Sequence, residues 1–219
     1  MQLDLRIRMN SSLYLRDPEM TDLGQNIIRH SIELIYDLGF EHFTFKKLAE
    51  HIGTTEASIY RYFENKHRLL TYLVSWYWSW IEYRIIMQIR NMSRPKEKIQ
   101  AVLQIICTRM NDDLSTSHIN EELLQQIVVA DGSKAYLTKH VTEDNQSQFF
   151  KPYKELSMCI AELVQDACPN YPHPKSLATT WLEMSHSFHF YKQHLPSLTE
   201  FSKGPDDEQM IDFMKSMLF

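Results

Sequence analysis

Apolar positions recur along this chain at intervals of three and four. Ile28, Ile32, Ile35 and Leu38 form one series, Leu69, Leu73, Trp76 and Trp80 a second, and Ile99, Val102, Ile106 and Met110 a third. Such spacing puts each series on one face of an α-helix, whereas a half-buried strand needs strict alternation. After the first eight residues no run of β-branched residues alternates in that way. Proline, which terminates helices, is absent between Pro18 and Pro95 and again between Pro95 and Pro152. An all-α protein is predicted.

Local signals place the elements. Asp17-Pro18 reads as an N-cap followed by a first-turn proline, and Gly39 as the residue that closes the first helix. Short helices are predicted at 45–52 and 56–63 on either side of Gly53, and a long one from 66 to 92. Further helices are expected near 95–110, 119–130, 133–144, 152–167, 174–194 and 205–218, with Pro169, Pro172 and Pro174 marking a loop.

Composition narrows the function classes. The 219 residues suit one medium domain or two small ones. None of the five glycines sits in a Gly-x-Gly cluster, which argues against a phosphate-cradling loop. Cys107, Cys159 and Cys168 are too few for a disulfide framework and fit a reducing compartment. Leu69 to Met87, the most apolar stretch, is interrupted by Thr71, Ser75, Ser79, Glu82 and Arg84 and makes a poor membrane span. Met1 to Arg8 alternates apolar and charged residues without the continuous apolar core of a signal peptide. The expectation is a cytoplasmic protein with no membrane partner. The net charge of −5 argues against indiscriminate coating of nucleic acid. It leaves room for a locally basic surface: between Thr44 and Arg68, five basic residues (Lys46, Lys47, Arg61, Lys66, Arg68) face three acidic ones (Glu50, Glu56, Glu64).

That same stretch has the spacing of a helix-turn-helix. Ala49 is a small residue where two helices can cross, Gly53 can take a positive φ in the turn, and Ile59 can dock the second helix on the first, with Leu48, Ile52 and Tyr62 completing a small core. Thr55 is placed to cap the second helix, whose outer face carries short or polar side chains suited to base edges. An ordinary αα-hairpin shares the glycine turn and is the alternative on spacing alone.

The wider string from Phe43 to Lys66, with Thr44, Leu48-Ala49, Gly53, Ile59-Tyr60, Phe63 and Asn65-Lys66, resembles the DNA-binding domain of TetR-family transcriptional regulators. The likeness extends back through Ile28 to Gly39-Phe40 and forward to Leu69-Leu70. Two positions depart from the family pattern: Thr54 stands where valine is usual, and Glu56 places an acid at the start of the recognition helix. The resemblance implies an N-terminal extension over 1–16, a three-helix DNA-binding domain over 17–66, and a larger helical effector-binding and dimerisation domain over 67–219.

It also implies roles. Thr44 is expected to cap a helix and face a phosphate, and Lys46, Tyr60, Tyr62 and Lys66 to touch the phosphate backbone, with Tyr62 alternatively a core residue. Thr55, Glu56, Ala57, Ser58 and Arg61 are candidate base readers: Arg61 for guanine, Ala57 for a thymine methyl, and Glu56 for cytosine N4 or, alternatively, as a carboxylate favoured by the helix dipole. One recognition helix makes few contacts, so a homodimer on double-stranded operator DNA is expected. Tyr153, Leu156, Ile160 and Leu163, then Leu177, Trp181, Met184 and Phe188, form two stripes for a dimer interface or, alternatively, for the chain's own core. Trp76, Trp80, Tyr83, Met87, Cys107 and Met110 are the candidate lining of a pocket for a small apolar or amphipathic effector or, alternatively, ordinary core residues.

No cofactor, catalytic residue or metal site is expected. The competing class, a helical ligand-binding or metal-dependent protein without DNA-binding activity, rests on His186, His189 and His194, which lack an acidic partner at the spacing of a His-Glu-x-x-His site. The reading is therefore a TetR-type regulator, a repressor released from a near-palindromic operator by its effector, and not an enzyme.

Overall fold

The computed structural model of the protein describes residues 7–110, 116, 118–201 and 207–219. Among them every regular element is helical: α1 Asp22–Leu38, α2 Phe45–Ile52, α3 Glu56–Tyr60, α4 Lys66–Ile89, α5 Pro95–Cys107, α6 Glu121–Asp131, α7 Val141–Gln146, α8 Lys151–Ala167, α9 Pro174–His194 and α10 Glu208–Lys215. The three cysteines are free thiols.

Contacts group these residues into two compact units, one within Met1–Tyr77 and Met110–Lys151, the other within Trp78–Arg109 and Pro152–Phe219. This grouping differs from the expected linear division at 66/67, because residues 110–151 pack with the N-terminal helices. Helix α4 supplies 66–77 to the first unit and 78–89 to the second.

In the first unit α1 buries Ile27, Ile28, Ile32 and Ile35; of the series foreseen from the spacing, Leu38, the last residue of the helix, is instead exposed. Its start is different. Asp17 accepts from the Glu19 N–H (3.0 Å) and opens a 3-10 turn, Pro18–Met20, and the true cap is Thr21, whose Oγ1 accepts from the Gly24 N–H at 3.0 Å. The turn folds back on the helix so closely that a Cβ at Gly24 would lie 2.2 Å from the Pro18 carbonyl oxygen. Glu19 in that turn is buried, accepting from the Tyr72 hydroxyl (3.0 Å) and pairing with His118 Nε2 (2.8 Å). Burial beside this carboxylate pushes the Tyr72 phenol well above its usual range.

The single helix expected over 133–144 is instead a 3-10 turn, Gly132–Ala135, followed by α7. The Thr138 hydroxyl accepts from the His140 N–H (3.2 Å), a side-chain bond that competes with helical pairing. Helix α4 is buried all round from Leu69 to Trp78, and its two inner hydroxyls are satisfied, Thr71 donating to the His67 carbonyl (2.9 Å) and Ser75 to that of Phe149 (3.0 Å).

The second unit packs α5 against α9 and α10. Trp181 Nε1 donates to the Met214 carbonyl at 3.0 Å, and the buried Lys192 and Asp207 pair at 2.6 Å. The Pro205 start expected for the last helix lies outside the described residues, as do residues 1–6. The remainder of the expected extension is packed: Leu13 is buried, and the Leu15 N–H donates to the Tyr62 carbonyl at 2.8 Å.

Candidate nucleic-acid interface

Helices α2 and α3 meet at the turn that the sequence places at Gly53. There φ is +70° and ψ is 38°, the left-handed region that glycine enters without a Cβ clash, and two N–H groups, from Gly53 and Thr54, converge on the Ala49 carbonyl. Leu48 and Ala49 of α2 and Ile59 of α3 are buried between the helices. Each helix has a threonine cap: Thr44 Oγ1 accepts from the Lys47 N–H and Thr55 Oγ1 from the Ser58 N–H, both at 3.2 Å. Outside this core Thr55, Glu56, Ala57, Tyr60 and Arg61 are exposed, Ser58 is half-buried, and Thr44 and Lys46 are exposed beside them. The Tyr60 ring stands edge-on to Phe45, the first residue of α2, at a centroid distance of 5.0 Å. These exposed side chains offer short hydroxyls, a phenol and two cations beside the Glu56 carboxylate, groups able to bind phosphates and base edges.

Two expected phosphate contacts are placed differently. Tyr62 is 2 % exposed, its hydroxyl hydrogen-bonds Thr21 Oγ1 at 2.7 Å, and the Arg16 guanidinium covers its ring at 5.4 Å. It is the core residue of the two alternatives. Lys66 directs its ammonium at the chain between α1 and α2, donating to the carbonyls of Phe40 (3.0 Å), Glu41 (3.1 Å) and Phe43 (3.2 Å) above the Phe40 ring. Its three N–H bonds are occupied, so it braces the segment that leads into α2. From the other side Asp131 Oδ2 accepts from the Phe40 N–H (3.1 Å), and Lys134 bridges Asp131 (2.9 Å) and Glu41 (2.6 Å). The Glu41 carboxyl is accordingly held below its usual range by Lys134. Sequence reading missed this brace, because residues 91 apart carry no local signal for it.

The family model for bacterial regulatory proteins of the tetR family matches residues 27–73, which run from α1 through α2 and α3 into α4. The chain carries a tetR-family DNA-binding domain. A curated relative, the nucleoid occlusion factor SlmA of Haemophilus influenzae, is 30% identical over 83 residues. That match spans 37% of this chain and 38% of the relative's length. Solved structures share the fold over more of the chain. A bacterial regulatory protein in the tetR family from Rhodococcus RHA1 has a TM-score of 0.65 at 9% identity, covering 90% of this chain and 97% of that one. AibR in complex with isovaleryl coenzyme A and operator DNA has a TM-score of 0.59 at 18% identity, covering 89% and 98%.

Outside the tetR domain the expected site residues fall in both units. Of the candidate effector lining, Trp76 and Met110 belong to the first unit and Trp80, Tyr83, Met87 and Cys107 to the second. Tyr83 and Met87 are exposed, whereas Cys107 lies against Met214, Sγ to Sδ 3.3 Å, and burial pushes its thiol far up. Of the two expected dimer stripes, Leu156, Ile160, Leu163, Leu177 and Trp181 are buried in the second unit's own core and present nothing to a partner. Tyr153 is half-buried, its ring on Trp78 (4.9 Å) and its hydroxyl donating to Glu183 (2.6 Å); Phe188 packs on Phe201 and Phe213. Met184 alone of the eight lines a shallow concavity of about 540 Å³ on α9, with Lys175, Ser176, Thr179, Thr180 and Glu183.

Among the described residues His186, His189 and His194 do not form a close trio of metal-ligating atoms. His186 stacks on Trp78 (4.9 Å), and burial drives its imidazole pKa down to about 3. His189 is lowered for the same reason, and His194 lies against Phe190 at 4.8 Å. Among the described residues no helix is long and apolar enough to cross a membrane.

Proposed function

We propose that this tetR-type regulator is a repressor that binds a near-palindromic operator as a homodimer and leaves it when a small amphipathic effector binds. The observation that carries the reading is the outer face of the Gly53-linked helix pair. It leaves Thr55, Glu56, Ala57, Tyr60 and Arg61 in solvent while Leu48, Ala49 and Ile59 are closed in the core. In this reading Arg61 reads guanine and Glu56 accepts from cytosine N4, while Thr44, Lys46 and Tyr60 hold phosphates. Two copies supply two half-sites about one helical turn or more apart. With the apolar stripes of α8 and α9 internal, the dimer is proposed on their outward faces, near Met158, Thr179 and Met184. Effector release is supported by the fold shared with AibR, whose structure holds both a coenzyme A ester and operator DNA. Trp80 and Cys107 are the inner residues of the second unit proposed to meet the effector.

Selection of duplexes from a random pool tests the proposal. A near-palindrome should be enriched. Arg61→Ala should flatten the base preference at one position of each half-site, whereas Lys46→Ala should weaken binding to all duplexes alike and reduce the salt slope by about one. Equal affinity for selected and random duplexes at moderate salt would overturn it, and binding to neither would favour a helical ligand-binding protein without DNA-binding activity.

A further inference from the structure

Where α1 meets the end of α2 stand three groups that the DNA-reading surface does not use, two from α1 and one from α2. His30 and Glu33 lie one turn apart on α1, and His51 lies in the last turn of α2. The two imidazoles stand edge to face, centroids 5.0 Å apart. His30 Nδ1 donates to Glu33 Oε2 at 2.6 Å, and His51 Nε2 is 4.0 Å from that same oxygen. One donor atom from each of the three residues lies within 4.8 Å of the others, and among the described residues no other trio of His, Cys, Asp or Glu side chains comes as close.

We propose that His30, Glu33 and His51 form a binding site for a borderline divalent transition metal, with Zn²⁺ the preferred ion, that ties α1 to the first helix of the helix-turn-helix. Zinc holds imidazole nitrogen and carboxylate oxygen at about 2.0–2.2 Å, so ligand atoms around a tetrahedral ion stand about 3.3 Å apart. The separations of 2.6 and 4.0 Å lie on either side of that value. Side-chain rotation alone can therefore open the first and close the second on a fixed helical scaffold. Two nitrogens and one oxygen are a donor set for zinc, nickel or copper and a poor one for calcium or magnesium, which favour all-oxygen shells. The site is open, with His30, Glu33 and His51 side chains 27%, 40% and 46% exposed, which gives the ion an entry path and leaves a coordination position for water. In the empty site the His30 Nδ1–H bonds the carboxylate. An arriving ion takes the Nδ1 lone pair, the ring's proton moving by exchange with solvent to Nε2, so that the ligand is a neutral imidazole.

The ion would not touch base-reading residues. It would fix the last turn of α2 immediately before Gly53, and so restrain the pivot on which α3 is carried.

The test uses full-length protein without a polyhistidine tag, stripped with chelator and titrated with Zn²⁺ and, as an optical probe, Co²⁺. One ion per protomer is expected, with visible ligand-field absorption for Co²⁺ and a rise in Tm on adding Zn²⁺. His51→Ala and Glu33→Gln, both at accessible positions, should weaken binding more than about tenfold and abolish the Tm rise. His194→Ala, at an exposed histidine elsewhere, should change neither. Circular dichroism establishes that each variant is folded. The proposal is overturned if the wild-type protein shows no saturable binding up to about 100 µM, a range far weaker than zinc sites of this kind require. It is equally overturned if both His51→Ala and Glu33→Gln bind as the wild type does.

Discussion

A methyl group at residue 24 would meet backbone, not a movable side chain, since the Pro18 carbonyl oxygen lies 2.2 Å from where it would stand. Gly24→Ala should therefore push the 3-10 turn off α1 and lower the unfolding free energy by about 1–3 kcal/mol, read from urea titration. The same change at Gly132, which faces the Val128 side chain at 3.0 Å, should cost less. Tyr62 gives a cleaner division between structure and recognition. Its phenol is bonded to Thr21 and shut from solvent, so Tyr62→Phe should cost about 1 kcal/mol of stability and leave DNA affinity unchanged. A loss of affinity without loss of stability would mean that the hydroxyl reaches a phosphate after all. The sequence left Tyr62 open because the residue that decides the matter, Thr21, lies 41 positions away.

Between elements, the decisive contact is the ammonium of Lys66 at the start of α4. By holding three carbonyls between α1 and α2 it sets the approach of the chain to Thr44 and so the position of the first helix-turn-helix helix. Lys66→Ala leaves those acceptors unpaired and should cost about 1–3 kcal/mol. Amide exchange should speed up at the start of α2, and DNA affinity should fall through misplacement of that helix. If affinity falls while exchange there is unchanged, Lys66 is a direct phosphate contact instead. Helix existence was legible from spacing at most elements, because one buried face per helix is a local property; the stretch 133–144, which divides into a 3-10 turn and α7, was the exception. Helix starts were less so: at α1 the local signal Asp17-Pro18 forms its own turn, and the packing of that turn against Gly24 moves the helix start to Thr21.

For the whole molecule, acid stability follows from the interior of the second unit. His186 is neutral in the folded protein, with its pKa driven down to about 3 by burial, against about 6.5 in the unfolded chain. Between those values the unfolded chain binds the extra proton. Stability is therefore fully present above about pH 6.5 and declines as pH falls below it, by about 1.4 kcal/mol per unit for this one group. His189 is shifted in the same direction and steepens the fall. A series of Tm measurements should show this decline, and His186→Phe, which keeps an aromatic ring on Trp78, should flatten it. If the slope is the same in that variant, the acid sensitivity lies elsewhere.

The sequence by itself determined the helical class, the Gly53 turn, the two threonine caps and the outer face of α3. All of these depend on residues within a few positions of one another, where spacing fixes geometry. Only the tertiary structure decided that the α8 and α9 stripes close on their own unit, that Lys66 and Tyr62 are occupied by protein groups, and that His30 and His51 meet. Periodicity states that a face is apolar, or that a side chain can reach, without stating what stands opposite. That is fixed only when helices distant in sequence pack together.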